Sequence, residues 1–382
     1  MKDRRFMNRW LLVLLFLTST LSACASKRPV LLGFAGELTG RQSDMGVHGR
    51  NAAELAVADL NAAGGIAGRP VELLVRDDLG TPEGARAADR ELIEAGVVAI
   101  VGHMTSGQSV AAVPVIDEAR VVLMGPTTST SRLAGLDDYF FRVTATTSTV
   151  ARVQAEHIYR RRGLSRVAIA YSTDNEAFTQ DYGTAFAEAY RDFGGEVVAY
   201  EGFSSFDETL DFTALMAALQ RGDPHGLLII APAFETAFLA QQLRLHDIRV
   251  PLFATGWSQT QTLIANGGQA VEGLEIVRIY VSDSDNPAFM DFEERYRARF
   301  GQAPSFAAAQ TYEAVRVLAA ALEKTGGRAK GLREALLEIR EFEGLIGPIF
   351  MDAYGDVVRP YFLLRIEDGQ FVPIGVLESE MP

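Results

Sequence analysis

Two hydroxyl-rich segments in the chain have the composition of an anion-holding site. They are Gly102-His103-Met104-Thr105-Ser106-Gly107-Gln108-Ser109 and Gly125-Pro126-Thr127-Thr128-Ser129-Thr130-Ser131, and each follows a short aliphatic run. Hydroxyls beside the open N–H groups of a helix N-terminus suit a carboxylate or another anion. Serine and threonine also serve simply as helix caps and turn formers. Two such loops at successive strand ends point instead to a site, with Ser106, Thr127, Thr128 and Ser129 as its polar candidates. A third polar loop, Gly36 to Gly46, follows the first aliphatic run.

Catalytic and metal chemistry finds little support. No Gly-x-Gly-x-x-Gly and no Gly-x-x-x-x-Gly-Lys-Ser/Thr stretch is present to cradle a nucleotide phosphate. Gly256-Trp257-Ser258-Gln259-Thr260 lacks the closing glycine of a nucleophile elbow. The histidines, at 48, 103, 157, 225 and 246, lie too far apart for a local ligand set. Asp77-Asp78 reads as a strand-end pair that shapes a turn and the helix after it. The expectation is a protein that is not an enzyme and carries no cofactor and no metal.

Those loops need strands and helices to aim them. Short β-branched or aliphatic runs predict strands at Val30–Phe34, Val71–Arg76, Val97–Val101, Val121–Met124, Val167–Tyr171, Val197–Tyr200, Leu227–Ala231, Leu252–Ala254 and Leu274–Tyr280. Helical spacing covers Asn51–Ala63, Ser148–Arg161, Gln180–Phe193, Phe212–Gln220, Glu235–His246, Pro287–Phe300 and Phe306–Lys324. Thr81-Pro82 reads as N-cap and first residue of a further helix, closed by Gly96. Alternating strand and helix predict α/β architecture with doubly wound parallel sheets. Nine strands are more than one small sheet usually holds, so two lobes are expected. Ligands in such sheets bind beyond the carboxyl ends of the strands. The last stretch, from Ile349 to Ile374, alternates apolar runs with turn residues and reads as β-hairpins.

The 382 residues carry a formal net charge of −13, which disfavours nucleic-acid binding. Cys24 has no second cysteine to pair with in the chain. It follows a basic start (Lys2, Arg4, Arg5, Arg9), an apolar run from Trp10 to Leu17, and Leu21-Ser22-Ala23. This is a secretory signal, and its apolar core is far short of the ~20 residues that span a bilayer. The Leu-Ser-Ala-Cys ending resembles the bacterial lipobox. That resemblance implies cleavage after Ala23 and lipidation of Cys24, with the protein held to a bacterial membrane by the lipid alone. Loss of residues 1–23 removes four basic side chains and one acidic one, deepening the net charge from −13 to −16.

The chain as a whole resembles periplasmic binding proteins of the leucine/isoleucine/valine-binding type, the receptors of ABC importers. The resemblance is carried by Gly36 to Gly46, by Asp59-Leu60-Asn61-Ala62-Ala63-Gly64-Gly65-Ile66-Ala67-Gly68, by Asp77-Asp78, by Val101-Gly102-His103, by Thr127 to Leu133, and by Gly347-Pro348-Ile349-Phe350-Met351-Asp352 with Gly355-Asp356. It implies two doubly wound lobes joined by three crossovers that close over a ligand. The expected division is signal peptide 1–23, lipidated segment 24–29, one lobe from 30–144 plus 279–357, and the other from 145–278 plus 358–382.

Carried over position by position, Ser106 matches the serine that receives a ligand carboxylate, Thr127 a main-chain contact, and Ser129 a second hydroxyl. Met45 and Phe178 fall where relatives place tyrosines. Trp257 stands near the position where amino-acid binders place a glutamate for the ligand ammonium. An unpaired buried ammonium is costly, so this departure disfavours a zwitterion. Trp257, Phe178 and Phe234 would instead wall an apolar or aromatic pocket. Glu235 could replace the missing carboxylate but reads as a cap or surface residue. The resemblance thus implies a small carboxylate- or amide-bearing ligand, with an aromatic or aliphatic acid preferred over an ordinary amino acid, handed to ABC permease subunits. The alternative is a ligand-sensing module of the same fold without transport.

Overall fold

The structure, a computed structural model, describes residues 28–40, 43–204, 207, 209–279 and 286–377. The expected signal segment and Cys24 lie outside the described residues, as does Tyr280 at the end of the ninth expected strand. Among the described residues no helix is long and apolar enough to cross a membrane.

The first sheet is wholly parallel. It contains β1 (Val30–Gly36), β2 (Val71–Asp77), β3 (Ala99–Val101), β4 (Val122–Gly125) and β5 (Phe140–Arg142), in the order β2-β1-β3-β4-β5. The second sheet takes β6 (Arg166–Ser172), β7 (Glu196–Phe203), β8 (Gly226–Ile230), β9 (Leu252–Thr255) and β10 (Glu275–Arg278). A small antiparallel sheet of β11 (Glu341–Gly344), β12 (Gly347–Met351) and β13 (Val357–Val358) follows. The hairpin β14 (Tyr361–Glu367) and β15 (Gln370–Leu377) then returns to the second sheet, whose order is β15-β14-β10-β9-β8-β6-β7. Two α/β lobes result, and the chain passes between them three times: after β5, after β10, and between β13 and β14.

Helices cover the sheet faces. In the first lobe these include α1 (Ser43–Ala62), α2 (Pro82–Glu94) and α3 (Ser106–Ala119). In the second they include α4 (Thr147–Glu156), α5 (Glu176–Asp192), α6 (Phe212–Leu219), α7 (Ala233–Leu245) and α8 (Gln261–Gly267). After the second crossover, α9 (Pro287–Phe300) and α10 (Phe306–Thr325) join the first lobe's core. Phe292, Tyr296, Val315 and Leu318 there pack in one cluster with Val30, Leu32, Phe34 and Val101 of the sheet. The expected cap at Thr81 is present: its hydroxyl accepts the Gly84 N–H at 3.0 Å, and Pro82 opens the helix.

Three local expectations are corrected. First, α1 begins at Ser43, eight residues before Asn51, so the end of the Gly36–Gly46 loop is a helical turn. Gly46 and Gly49 hide that turn from a helix reading, yet Gly46 is there for space. A Cβ at Gly46 would lie 1.8 Å from the Glu37 carbonyl oxygen, so only glycine lets the helix close on the loop. Second, β5 was not expected, because three residues are too few to show alternation. Third, the second lobe's sheet is mixed: β14 and β15 pair antiparallel at its edge.

Buried charges tie the crossovers to the first lobe. The Arg142 guanidinium at the end of β5 pairs with Asp356 at 2.7 Å. Arg359, before β14, pairs with Glu313 of α10 at 2.6 and 3.0 Å and donates to the Val143 carbonyl at 3.1 Å.

Candidate functional site

The cavity between the lobes has an empty volume of about 630 Å³, part of it open to solvent. Its walls come largely from strand ends. Met45 follows β1, Met104 to Ser106 follow β3, and Thr127 and Ser129 follow β4. Asn175 and Phe178 follow β6, Gly256 and Trp257 follow β9, and Arg278 closes β10. The first crossover adds Thr144, Ala145 and Thr147, and α10 adds Phe306 and Gln310. In the first lobe the cavity lies where β1 has β2 on one side and β3 on the other, the switch point of a doubly wound sheet.

Six of the eight expected ligand contacts line this one cavity: Ser106, Thr127, Ser129, Met45, Phe178 and Trp257. Thr128 is fully buried behind the wall. Its hydroxyl lies 2.6 Å from that of Ser109 and donates to the His103 carbonyl at 3.0 Å. Phe234 does not wall the cavity. It is 54% exposed on α7 and stacks on Phe238, centroids 6.5 Å apart. Glu235, expected as a cap or surface residue, is buried in the first turn of α7.

The polar end of the cavity is built on α3. Ser106 is its first residue, and the Ser106 hydroxyl accepts the Thr130 N–H at 3.3 Å. The Thr127 hydroxyl donates to the Met104 carbonyl at 2.6 Å, which locks the two loops together. The Thr105 hydroxyl oxygen is buried and finds no hydrogen-bond partner among the described residues, although Thr105 occupies the N-cap position. A buried hydroxyl beside a cavity is placed to bond a group held in that cavity.

Beneath these loops His103 is fully buried between two carboxylates, Nδ1 2.7 Å from Asp78 and Nε2 3.2 Å from Asp89. Burial alone would push this imidazole down. The Asp89 charge and the hydrogen bonds to Asp78 and Asp89 outweigh it and raise the group to about 10. His103 is therefore a cationic strut, and Asp78, expected only to shape a turn, also holds it. Asp77 does shape the turn, accepting the Leu38 and Leu79 N–H groups at 2.9 Å each.

The apolar end is aromatic. Phe178 and Trp257 meet edge to face with centroids 5.5 Å apart. Tyr182 completes that wall, and its hydroxyl donates to the Gln154 side-chain oxygen at 2.7 Å. Burial pushes the Tyr182 phenol far above its ordinary value, so it stays neutral. Arg278, Phe306 and Gln310 were missed in the sequence. Arg278 interrupts an otherwise aliphatic strand end, which is the one signal that pointed to it. Its guanidinium lies 3.6 Å over the Phe306 ring centroid and donates through Nη1 to the Gly256 carbonyl. Among the described lining residues no side chain is a carboxylate, and Arg278 is the charged one.

Hydrogen bonds span the cavity's rim. Asn175 accepts the Gly107 N–H at 3.1 Å, and Asp181 of α5 accepts the Ser131 N–H at 2.6 Å. Chemically, the cavity offers hydroxyl and guanidinium donors to a polar group and aromatic and thioether surface to an apolar one.

The chain is 28% identical over 361 residues to Leu/Ile/Val-binding protein homolog 3 of Brucella melitensis biotype 1, covering 92% of this chain and 95% of that one. Its fold is similar to a leucine-binding protein from Thermotoga maritima MSB8, with TM-score 0.85, 24% identity, and coverage of 92% of this chain and 99% of the other. It is also similar to an ABC transporter solute-binding protein from R. palustris in complex with benzoate, with TM-score 0.81, 20% identity, and coverage of 91% and 96%. A family model described as periplasmic binding protein matches residues 29–370, and the chain belongs to that family.

Proposed function

We propose that this chain is the extracytoplasmic substrate-binding lipoprotein of an ABC importer. It closes two lobes over a small carboxylate- or amide-bearing ligand and presents it to permease subunits, without chemical change. An aromatic or aliphatic acid suits the cavity better than an amino acid. The carrying observation is the lining: hydroxyl donors and aromatic rings, with no carboxylate among the described lining residues to meet an ammonium. The benzoate bound by one relative and the leucine-type names of others bracket this ligand range. In this reading Cys24 carries the lipid and the lobes divide at 144/145, 278/279 and 357/358.

Thermal unfolding of the signal-free chain with a ligand panel tests the reading. A ligand at ~100 times its Kd should add about 2.7 kcal/mol. Stabilisation by leucine or valine, with none by aromatic or aliphatic acids, rejects the acid preference.

A further inference from the structure

We infer that a second, smaller cavity adjoining the main one is a subsite for a single hydroxyl, which makes the preferred ligand a hydroxylated organic acid. The inference rests on the reading that the main cavity binds a small organic acid, and it names the substituent that such an acid carries.

Three observations carry it. The second cavity belongs to the first lobe and shares Met45, Met104 and Thr105 with the main one as a common wall. Among the described residues Glu37, Asp78 and Gln108 give it its other side chains. It has room for about one water-sized group, so a hydroxyl fits and a ring does not. Next, its polar walls ask for a donor. Carboxylates accept hydrogen bonds and donate none, and one oxygen can accept more than one. Asp78 is buried and already faces the His103 imidazole at 2.7 Å and the Gly80 N–H at 2.9 Å. A neutral donor therefore suits the chamber better than a second cation, and an anion there would meet the Asp78 and Glu37 carboxylates. Last, the Thr105 hydroxyl stands on the common wall, buried and without a partner among the described residues. A ligand hydroxyl both donates and accepts, so it can bond Thr105 and a carboxylate together. The rest of the partition is deformable, because Met45 and Met104 are unbranched thioethers. A Cβ at Gly36 would lie 2.9 Å from Met104 Cγ, and one at Gly49 2.9 Å from its Cε, so two glycines give Met104 its slot.

Calorimetric titration of the signal-free chain tests this with benzoate and pentanoate as parent acids, a single hydroxyl being moved through positions 2, 3 and 4 of each. At the favoured position the hydroxy acid should bind about tenfold or more tighter than its parent, the worth of a hydrogen bond to a charged group. A second carboxylate at that position should bind more weakly than the parent. Thr105→Val and Gln108→Leu should each reduce the ratio of hydroxy-acid to parent affinity to about threefold or less. Reading the ratio within each variant separates a lost hydroxyl contact from a general loss of binding. Hydroxy acids that nowhere outbind their parents overturn the inference and leave the proposed function standing. So does a ratio unchanged in a Thr105→Val protein that melts cooperatively. Wild type that binds no acid overturns both. If neither variant folds, a second carboxylate that binds as tightly as the hydroxyl at the favoured position overturns the inference.

Discussion

The Asp181 carboxylate in the second lobe accepts the Ser131 backbone N–H of the first at 2.6 Å. The Thr130 hydroxyl reaches the same oxygen at 3.2 Å, and the Thr147 hydroxyl joins them. The bonds from Ser131 and Thr130 exist only with the lobes together, whereas Thr147 shares the second lobe with Asp181, so Asp181 biases the equilibrium between closed and open forms through the first two. Hydrogen bonds to a charged group contribute about 1.5–3 kcal/mol each. Asp181→Ala should enlarge the radius of gyration of the ligand-free protein in small-angle scattering and weaken ligand binding by about tenfold or more. Unchanged scattering together with an unchanged Kd would refute this role.

Thr105 gives a prediction with two opposite signs. Its hydroxyl is buried with no partner among the described residues, and a buried hydroxyl left unbonded costs about 1–3 kcal/mol. It provides no side-chain cap to α3, so none is lost on replacement. Thr105→Val should therefore raise the Tm of the free protein and lower ligand affinity. A lower Tm, or unchanged affinity, contradicts the assignment of that hydroxyl to the ligand.

The His103 strut predicts an alkaline weakness. Its folded-state pKa, about 10, lies above the ordinary 6.5. Its stabilisation is then complete below about pH 6.5 and is lost as pH rises through about 10. Tm should fall more steeply between pH 8 and 10.5 in wild type than in a His103→Gln, Asp89→Asn double variant, whose pair is neutral throughout. Parallel curves would count against the charged assignment. His103→Ala alone leaves two carboxylates buried and should cost about 3–5 kcal/mol.

Glu313 and Arg359 are each 2% exposed in their side chains and form a buried pair. Glu313→Gln strands the guanidinium and should destabilise by about 3–5 kcal/mol. Replacing both with Leu and Met should recover most of that loss, read from denaturant midpoints in a double-mutant cycle. Additive single losses would show that the two charges do not act as a unit.

The frame was legible because aliphatic runs and helical spacing recur regularly from Val30 to Thr325. Ser106, Thr127 and Ser129 were legible because they lie in hydroxyl-rich loops just beyond those runs, where a doubly wound sheet opens its crevice, while Met45, Phe178 and Trp257 were legible only through the family resemblance. Phe234 misled because a solvent-facing phenylalanine at a helix start looks the same in sequence as one that lines a cavity. Arg278 was hidden by the opposite effect: a strand reading of Leu274–Tyr280 places it among side chains expected to be core. The buried pairs were invisible because their partners are far apart in the chain, Glu313 from Arg359 and Arg142 from Asp356. Nothing local to any of those residues announces the other.

Those two pairs also decide where the protein bends. Arg142 and Arg359 stand at the outgoing and returning chain beside the first lobe, and each is bolted to it by a carboxylate. The Arg359–Val143 bond pins the two strands of chain to each other as well. Motion between the lobes is thereby pushed past the bolts, onto Thr144 to Thr146 and onto Pro360, whose ring fixes φ and leaves ψ to turn. At these two crossings the pivot falls on the second lobe's side, like a door whose pins are set in one frame. Thr144, Ala145 and Thr147 line the cavity next to those pins. A ligand held in that cavity would meet the axle itself, where a small displacement would be multiplied along the full length of the other lobe.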